Sequence, residues 1–409
     1  MNSTSKNTAI ASQWGIAELA TNAICESLAI VFVLAMFFLA TLSAQAQTES
    51  LLHTFTQTTT GLHPVSGLVR DTQGNLYGTT YQGGNTNCGG LGCGTVFELT
   101  PDGTLTVLYT FGGKADGATP GSGLILDKDG NLYGTTEYGG ASGDGTVFEI
   151  TTALKYKVIH SFAGSDGALP YGGLLRDGQG NLYGTTEYGG ANYGTVFKIT
   201  PSGMETVLYS FTGGVDGGAP IGNLVMWKGN LYGTTPDGGV VGEGTVFEVT
   251  EKGKERVLYS FTGGNDGASP FGGLIVDKEG NLYGTTVGGG SSGFEGAGGG
   301  TLFEVSQSGT ESVLYNFSGG ADGGKPLGSL VKDANGNFYG TTQTGGSDYN
   351  GVVFEVSPAG VETVLHRFTR GSDDGAFPES GVVRAGKALY GTTFYGGPND
   401  GGTVFKVIP

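Results

Sequence analysis

A seven-residue motif, Gly-Asn-Leu-Tyr-Gly-Thr-Thr, recurs seven times with small variations along this chain of 409 residues. Its tyrosines lie 49 to 56 residues apart, at Tyr77, Tyr133, Tyr183, Tyr232, Tyr283, Tyr339 and Tyr390. A fixed period of about fifty residues is typical of a repeat architecture, in which each repeat is one small structural unit. The motif therefore limits the chain to folds that are built from seven similar units.

Each repeat contains four short runs rich in Val, Ile, Tyr, Phe and Thr, and each run is bounded by Gly, Asp, Asn or Pro. Such runs between turn residues predict β-strands joined by tight turns. Four antiparallel strands in each of seven repeats predict an all-β protein, a seven-bladed β-propeller with four-stranded antiparallel blades. An open β-solenoid is the alternative, but it would need atypical capping repeats, and none is visible in the sequence.

The repeat region begins with the fourth strand of a repeat and ends with the third, so its last repeat lacks a fourth strand of its own. Residues 51–55 copy the fourth run of a repeat, and residues 402–407 copy the third run. In a closed ring the N-terminal strand would complete the last blade, so that neither strand leaves an open edge. We therefore expect residues 50–409 to form one propeller domain that is closed by its first strand.

Residues 1–46 differ in character from the repeats. Leu28 to Leu42 is an almost wholly apolar run, and Ala44-Gln45-Ala46 follows it as a small-residue cleavage pattern. This arrangement predicts a secretory signal peptide, with an uncleaved N-terminal membrane anchor as the alternative. We expect the protein to be secreted, periplasmic or displayed at the cell surface.

The charge of the chain restricts its partners. There are 37 acidic residues against 20 basic ones, which gives a formal net charge of −17. An acidic surface repels phosphate backbones and anionic lipid, so we expect neither nucleic acid nor membrane surface as a partner. We expect a monomer without a cofactor, and calcium is the one cation left open for the oxygen-rich loops.

Cysteine and histidine suggest structural roles. Cys88 and Cys93 lie close together in one Gly-rich loop, and in an exported protein they predict a local disulfide rather than a metal site. His53, His160 and His366 stand where other repeats have tyrosine, which indicates packing. The sequence contains neither a G-x-S-x-G nor an H-E-x-x-H motif, so it gives no sign of a serine hydrolase or a zinc peptidase.

One aspartate precedes glycine in the loop between successive repeats. The six members of this set are Asp116, Asp166, Asp216, Asp266, Asp322 and Asp374. An aspartate before glycine is what a tight turn requires, and a cation-binding ring is the alternative interpretation.

A second set of residues follows the Thr-Thr pair of the motif, on Gly-rich loops that a propeller would place on the same face. Because glutamate and tyrosine are not turn formers, we interpret this set as a surface that contacts a protein or carbohydrate ligand. The residues of this hypothesis are Glu137, Tyr138, Glu187, Tyr188, Asp237, Phe294 and Tyr395.

Two functions remain open at this point. The first is a non-catalytic exported scaffold that binds protein or carbohydrate through its Gly-rich top-face loops. The second is a lyase or glycan hydrolase that uses paired carboxylates, for which Glu137 and Glu187 occupy like positions in adjacent repeats. No residue is assigned a catalytic role from the sequence.

The repeat pattern G-N-L-Y-G-T-T, Gly-Gly, G-T-V-F-E and V-L-Y-x-F resembles the bacterial tandem-repeat proteins of the "choice-of-anchor" type called GloVer. The resemblance covers residues 50–408 and implies an exported protein, without implying an activity. The D-x-x-G-N-L-Y turn is also similar to that of NHL-type propellers, and the overall organisation is NHL-like or kelch-like. These likenesses imply the fold only.

Overall fold

The computed structural model describes residues 48–56, 59–291 and 298–409. They form seven four-stranded antiparallel sheets, which are the blades of a β-propeller. The predicted seven-bladed all-β fold is confirmed. The signal segment expected at residues 1–46 lies outside the described residues.

Each blade runs from a short inner strand to a longer outer strand. Blade 1 contains β2 (Val69–Arg70), β3 (Leu76–Thr80), β4 (Thr95–Leu99) and β5 (Leu105–Thr110); blade 2 contains β6 (Ile125–Leu126), β7 (Leu132–Thr136), β8 (Thr146–Ile150) and β9 (Tyr156–Ser161); blade 3 contains β10 (Leu175–Arg176), β11 (Leu182–Thr186), β12 (Thr195–Ile199) and β13 (Glu205–Ser210); blade 4 contains β14 (Val225–Trp227), β15 (Asn230–Thr235), β16 (Thr245–Val249) and β17 (Glu255–Ser260).

The remaining blades follow the same plan. Blade 5 contains β18 (Ile275–Val276), β19 (Leu282–Thr286), β20 (Thr301–Val305) and β21 (Glu311–Asn316); blade 6 contains β22 (Val331–Lys332), β23 (Phe338–Thr342), β24 (Val352–Val356) and β25 (Glu362–Arg367); blade 7 contains β27 (Val383–Ala385), β28 (Ala388–Thr393), β30 (Thr403–Ile408) and β1 (Thr48–Thr54). The strands β26 (Gly375–Ala376) and β29 (Tyr395–Gly396) form a small separate pair, and Cys88–Gly90 is a 3-10 helix. Within the described residues, no helix has the length and apolar character needed to cross a membrane.

The glycine of the repeated motif is explained by its neighbour on the next strand. Gly134 in β7 pairs with Phe148 in β8. A Cβ atom at Gly134 would lie 2.7 Å from Cζ of Phe148, so only glycine leaves room for the ring. The fully buried Phe148 belongs to a core cluster that also includes Val96 and Phe111 of the preceding blade. The hydrophobic core therefore lies between adjacent blades.

The aspartate, asparagine and tyrosine of the D-x-x-G-N-L-Y segment hold the turn between the first two strands of a blade. In blade 5, Oδ1 of Asp277 accepts the backbone N–H of Asn281 at 2.8 Å. Its Oδ2 accepts the hydroxyl of Tyr283 at 2.9 Å. This side-chain bonding to the turn backbone is a common function of aspartate, and it accounts for the recurrence of all three residues.

The first described strand closes the ring. β1 is the outer strand of blade 7, where it lies beside β30. The backbone N–H of Phe55, just after β1, donates to the carbonyl of Gly402 at 2.9 Å. The ring of Phe55 is fully buried in a cluster with Val404 of blade 7 and Phe97 of blade 1. The predicted closure by an N-terminal strand is therefore confirmed.

Candidate functional site

The inner segments of all seven blades surround a central cavity of about 580 Å³. Small residues line its wall where neighbouring blades come closest. A Cβ atom at Gly328 would lie 2.1 Å from the backbone nitrogen of Gly381, and one at Gly222 would lie 2.9 Å from the carbonyl oxygen of Gly272. The cavity is therefore bounded mainly by backbone, and its chemical character comes from the larger side chains at its mouth.

The mouth opens on the face that carries the Gly-rich loops, which we call the top face. Two loops of each blade pair there: for example, Ala118 of the loop before blade 2 forms a β-bridge with Tyr138 of the loop after β7. The equivalent bridge in blade 3 joins Ala168 to Tyr188. The sequence-based expectation that these two loops share one face thus matches the geometry.

Glu137 is the most unusual residue at the mouth, because it is only 6% exposed. Its Oε2 accepts the hydroxyl of Tyr81 at 3.1 Å. Its Oε1 is buried and has no hydrogen-bond partner among the described residues. Burial raises the pKa of Glu137 to about 7, the hydrogen bond from Tyr81 opposes that rise, and the charge of Glu187 adds to it.

The carboxyl group of Glu137 lies in space that is free because residue 121 is glycine and has no side chain. A Cβ atom at Gly121 would lie 2.2 Å from Oε1 of Glu137 and 3.4 Å from Cε2 of Tyr171. Both Gly121 and Tyr171 line the central cavity. Glu137 is thus placed at the edge of the cavity by a glycine on the inner segment of its own blade.

Tyr171 stands among three carboxyl groups. Its side chain is 37% exposed, and its pKa is raised by burial first and then by the charges of Glu137, Glu379 and Glu187. Glu379 accepts a hydrogen bond from Nε2 of Gln343 at 3.1 Å, and burial raises its pKa. We call Tyr81, Glu137, Tyr171, Glu187 and Glu379 the mouth cluster.

The opposite side of the mouth is mainly apolar, although Lys325 and Gln343 of blade 6 also line the cavity. Phe271 is 37% exposed, and it lines the cavity together with Ile221, Val287 and Leu327. These residues belong to the segments of blades 4, 5 and 6, whereas the mouth cluster comes from blades 1, 2, 3 and 7. A ligand at the mouth would therefore meet carboxyl groups on one side, and on the other mainly hydrocarbon with the ammonium group of Lys325.

Several residues that the sequence suggested as ligand contacts lie near the mouth cluster. Tyr138 and Tyr188 are 46% and 49% exposed. Burial raises the pKa of Glu187, and the charge of Asp237 in the next blade raises it further. Glu137 itself is buried rather than displayed beside Tyr138.

Two other suggested contacts are not brought to the mouth cluster. Tyr395 packs against the rings of His63 and Phe394, with centroid distances of 5.2 and 4.6 Å. The guanidinium of Arg370 lies 4.9 Å from the centre of the Tyr395 ring. Tyr395 therefore belongs to a packed cluster near the ring seam. Phe294 lies outside the described residues.

The six aspartates before glycine hold the turns that follow the outer strands. In blade 3, Oδ2 of Asp216 accepts the hydroxyl of Tyr209 at 3.0 Å and the backbone N–H of Thr212 at 2.9 Å. The same aspartate position accepts a bond from the aromatic or imidazole residue of the outer strand in all six cases, at Asp116, Asp166, Asp216, Asp266, Asp322 and Asp374. None of the six lines the central cavity, so they act as turn locks at the outer edge.

The two cysteines are joined in the long loop of blade 1. Cys88 and Cys93 form a disulfide with a Cα–Cα distance of 5.4 Å. Gly113 of the adjoining loop packs on it, because a Cβ atom there would lie 2.5 Å from both sulfur atoms. The disulfide therefore fixes the first long loop against the turn before blade 2.

The mouth cluster combines two chemical capacities. A carboxyl group with a pKa of about 7 can exist in both protonation states near neutral pH, so Glu137 can donate or accept a hydrogen bond. A half-exposed aromatic ring on a rigid blade can stack on a flat ligand with little loss of conformational entropy. Sequence analysis missed Tyr171 and Glu379, and the one available signal was that the residue after the proline of each repeat varies from blade to blade.

Comparison with solved structures finds several matches at low sequence identity. The extracellular domain of a proposed hybrid two-component system from B. thetaiotaomicron has a TM-score of 0.54 and 10% identity, and the match covers 88% of this chain and 39% of that one. A puromycin-hydrolyzing peptidase from Mycobacterium tuberculosis has a TM-score of 0.50 and 12% identity, and covers 87% and 54%. A proposed 6-phosphogluconolactonase from Bacteroides uniformis has a TM-score of 0.49 and 15% identity, and covers 78% and 88%. The first two of these likenesses show the fold alone.

Comparison with curated protein sequences finds no match. The profile of the Gloeobacter/Verrucomicrobia repeat, in contrast, matches residues 36–228, 155–297 and 292–409. These three overlapping matches span the whole propeller. The chain therefore belongs to the Gloeobacter/Verrucomicrobia repeat family.

Proposed function

We propose that this propeller is an exported, non-catalytic binding protein that takes a carbohydrate or a similar polyhydroxylated ligand at the mouth of its central cavity. The observation that carries the proposal is the position of Glu137, whose buried and unpartnered Oε1 lies beside Tyr171 above the gap left by Gly121. A buried polar atom without a partner is costly unless a ligand or solvent completes it.

The form of the mouth suits a sugar. Carboxyl groups accept hydrogen bonds from hydroxyl groups, and aromatic faces stack on the apolar face of a pyranose ring. Tyr171 and Phe271 provide such rings on two sides of the opening. A volume of about 580 Å³ falls within the range of roughly 300–1,000 Å³ that is usual for small-molecule sites.

The charge of the protein narrows the ligand class. Three carboxyl groups adjoin Tyr171, and the whole chain has a formal net charge of −17. This charge disfavours an anionic ligand such as a sugar phosphate, although one cation, Lys325, also lines the cavity. We therefore propose a neutral glycan, bound outside the cytoplasm by a monomeric protein that needs neither nucleic acid nor membrane lipid.

The experiment is a glycan array with the purified protein, followed by titration calorimetry with the best glycan. The variants Glu137→Gln and Tyr171→Ala test the mouth, and Met204→Ala is the control because that residue is 63% exposed on a turn between outer strands. We expect each mouth variant to weaken binding at least tenfold while the control binds like the parent protein. Equal affinities for all three variants, or an array without a hit, would overturn the proposal.

A second function has one specific observation in its favour. Glu137 has a pKa of about 7, and a second carboxyl group, Glu187, lies close enough to raise it. Paired carboxyl groups with separated pKa values are the basis of glycan hydrolysis and related lyase chemistry. In that case Glu137 would be the general acid, and turnover of a glycan would fall as pH rises above about 7. Product formation from a bound glycan, abolished by Glu137→Gln, would favour the enzyme over the binding protein.

A further inference from the structure

The outer edge of the propeller contains a repeated three-residue site between neighbouring blades, which we call the perimeter slot. It combines a residue from the end of one outer strand, the aspartate of the following turn and the first residue of the next blade's outer strand. In the slot between blades 3 and 4 these residues are Tyr209, Asp216 and Glu255. The tyrosine hydroxyl lies 3.0 Å from the aspartate, and the charge of Asp216 acts on Glu255.

Two perimeter slots contain histidine in place of tyrosine. Between blades 2 and 3, Nε2 of His160 lies 2.9 Å from Oδ2 of Asp166, and Glu205 is the third member. Between blades 6 and 7, Nε2 of His366 lies 3.0 Å from Oδ1 of Asp374, and Glu49 completes the set. In each slot one nitrogen or oxygen atom of every member lies within 4.8 Å of the others.

The glutamates in both slots lack a partner for one oxygen atom. Oε1 of Glu205 and Oε1 of Glu49 are buried and accept no hydrogen bond within the described part of the chain. Each of them also faces the carboxylate of an aspartate. Two carboxylates at close quarters are unfavourable unless a proton or a cation lies between them.

We propose that His160–Asp166–Glu205 and Glu49–His366–Asp374 each bind one divalent transition-metal ion of the zinc type. One imidazole nitrogen and two carboxylate oxygens are ligands that Zn²⁺ accepts, and water would complete the coordination. The two carboxylates balance the charge of the ion. The ion would bind Nε2 of a neutral imidazole whose single proton is on Nδ1, and any further proton displaced from Nε2 would pass to solvent.

The tyrosine slots provide an internal comparison. Glu255 and Glu311 also have an unpartnered buried Oε1, but tyrosine offers no nitrogen ligand, so a proton between the carboxyl groups is sufficient there. The histidine and tyrosine rings occupy the same place: His160 packs edge-on against Phe162 with centroids 4.8 Å apart, and Tyr209 packs in the same way against Phe211 at 5.1 Å. Exchange of histidine for tyrosine should therefore leave the blade intact.

An ion in either slot would join two blades, because its ligands come from both. In the second slot it would also attach β1, which carries Glu49, to blade 6, whose outer strand β25 carries His366. The expected role is thus structural, at the point where the ring closes. The sequence left a cation open for the aspartates Asp166 and Asp374, but it did not indicate the histidine and glutamate ligands, because the two histidines occupy the position of a packing tyrosine.

The test is titration calorimetry of the metal-stripped full chain with ZnCl₂. We expect two sites in the parent protein, one after His160→Tyr or His366→Tyr, and none after both. The variant Tyr259→His should add a third site, since Asp266 and Glu311 already complete that slot. X-ray absorption of the zinc-loaded protein should show about one nitrogen ligand for each ion.

Titration with Ca²⁺ is the control that distinguishes specific zinc binding from general attraction of cations to an acidic surface. We expect Ca²⁺ to bind the parent and the doubly substituted protein equally and weakly, and Zn²⁺ to raise the melting temperature of the parent alone. If the number of zinc sites is the same in the parent, in the double variant and in Tyr259→His, the ions are held elsewhere and the proposal is wrong.

Discussion

The Oγ1 atom of Thr392 in blade 7 lies 2.9 Å from the carbonyl oxygen of Ser66 in blade 1, 326 residues earlier in the chain. The same threonine of the motif bonds to a carbonyl of the next blade in six of the seven blades, through Thr79, Thr135, Thr234, Thr285, Thr341 and Thr392. In blade 3 the equivalent Thr185 is buried and has no hydrogen-bond partner among the described residues. These hydroxyl groups connect the blades near the axis.

The difference between Thr392 and Thr185 gives the first prediction. Thr392→Val removes a bond and leaves the Ser66 carbonyl without it, so we expect the free energy of unfolding to fall by about 1–3 kcal/mol. Thr185→Val removes a buried hydroxyl that has no partner, and we expect no loss or a small gain in stability. Chemical denaturation of both variants measures this, and equal losses for the two would contradict it.

The second prediction concerns the exposed tyrosines of the top face. The double variant Tyr138→Ala, Tyr188→Ala should melt at the temperature of the parent protein, because both rings are about half exposed. If these rings extend the ligand site, the affinity for the glycan should fall several-fold. A lower melting temperature with unchanged affinity would show instead that the pair is packing.

The third prediction is a stability that decreases towards alkaline pH. Burial, with an added contribution from Asp216, raises the pKa of Glu255 to about 7 from its ordinary value of 4.5. Between these two values the folded state holds a proton that the unfolded state has released, so stability is full below about pH 4.5 and is lost as pH rises through 7. The same sign holds for Glu311 and Glu362, each with a pKa of about 7.

The substitution Glu255→Gln tests this directly. Glutamine stays neutral, so the variant should be more stable than the parent at pH 8 and similar to it at pH 5. Glu251→Gln serves as the control, because Glu251 lies exposed in the turn just before the same strand. Melting temperatures that do not depend on pH in either protein would refute the assignment.

The fourth prediction concerns the strand that closes the ring. Deletion of residues 48–56 in addition to 1–47 removes β1 and the fully buried Phe55. We expect the whole ring to melt well below the form that begins at residue 48, because β30 then becomes an open edge. Phe55→Ala alone should cost about 3–5 kcal/mol. If the two truncated forms melt alike, β1 does not hold the ring closed.

The fold could be predicted because all seven repeats contain the same pattern of strands and turns. The motif from Asp127 to Thr136 combines a turn, a strand and the glycine that accommodates Phe148, and seven copies reduce the uncertainty of each. The closure by β1 followed from the order of strands at the two ends.

The site was predicted less well, because it depends on side-chain directions and on contacts between distant segments of the chain. Glu137 and Tyr138 are neighbours in sequence, but the backbone is extended there and bridges to Ala118, so the two side chains point to opposite sides. One is buried and the other exposed. Tyr171 and Glu379 meet the same cluster from blades that are far apart in the chain, and no local pattern records that convergence.

The pairing of β1 with β30 also decides when the molecule can finish folding. During synthesis β1 is made first and β30 last, so six complete blades can form while the seventh has no outer strand. Until β30 is made, β1 has no neighbouring strand, and Phe55 lacks its contact with Val404. Contacts between such distant segments form slowly, and an uncovered strand favours association with other chains. The strand pairing that closes the finished ring is therefore also a step at which an unpaired β1 is open to wrong pairing.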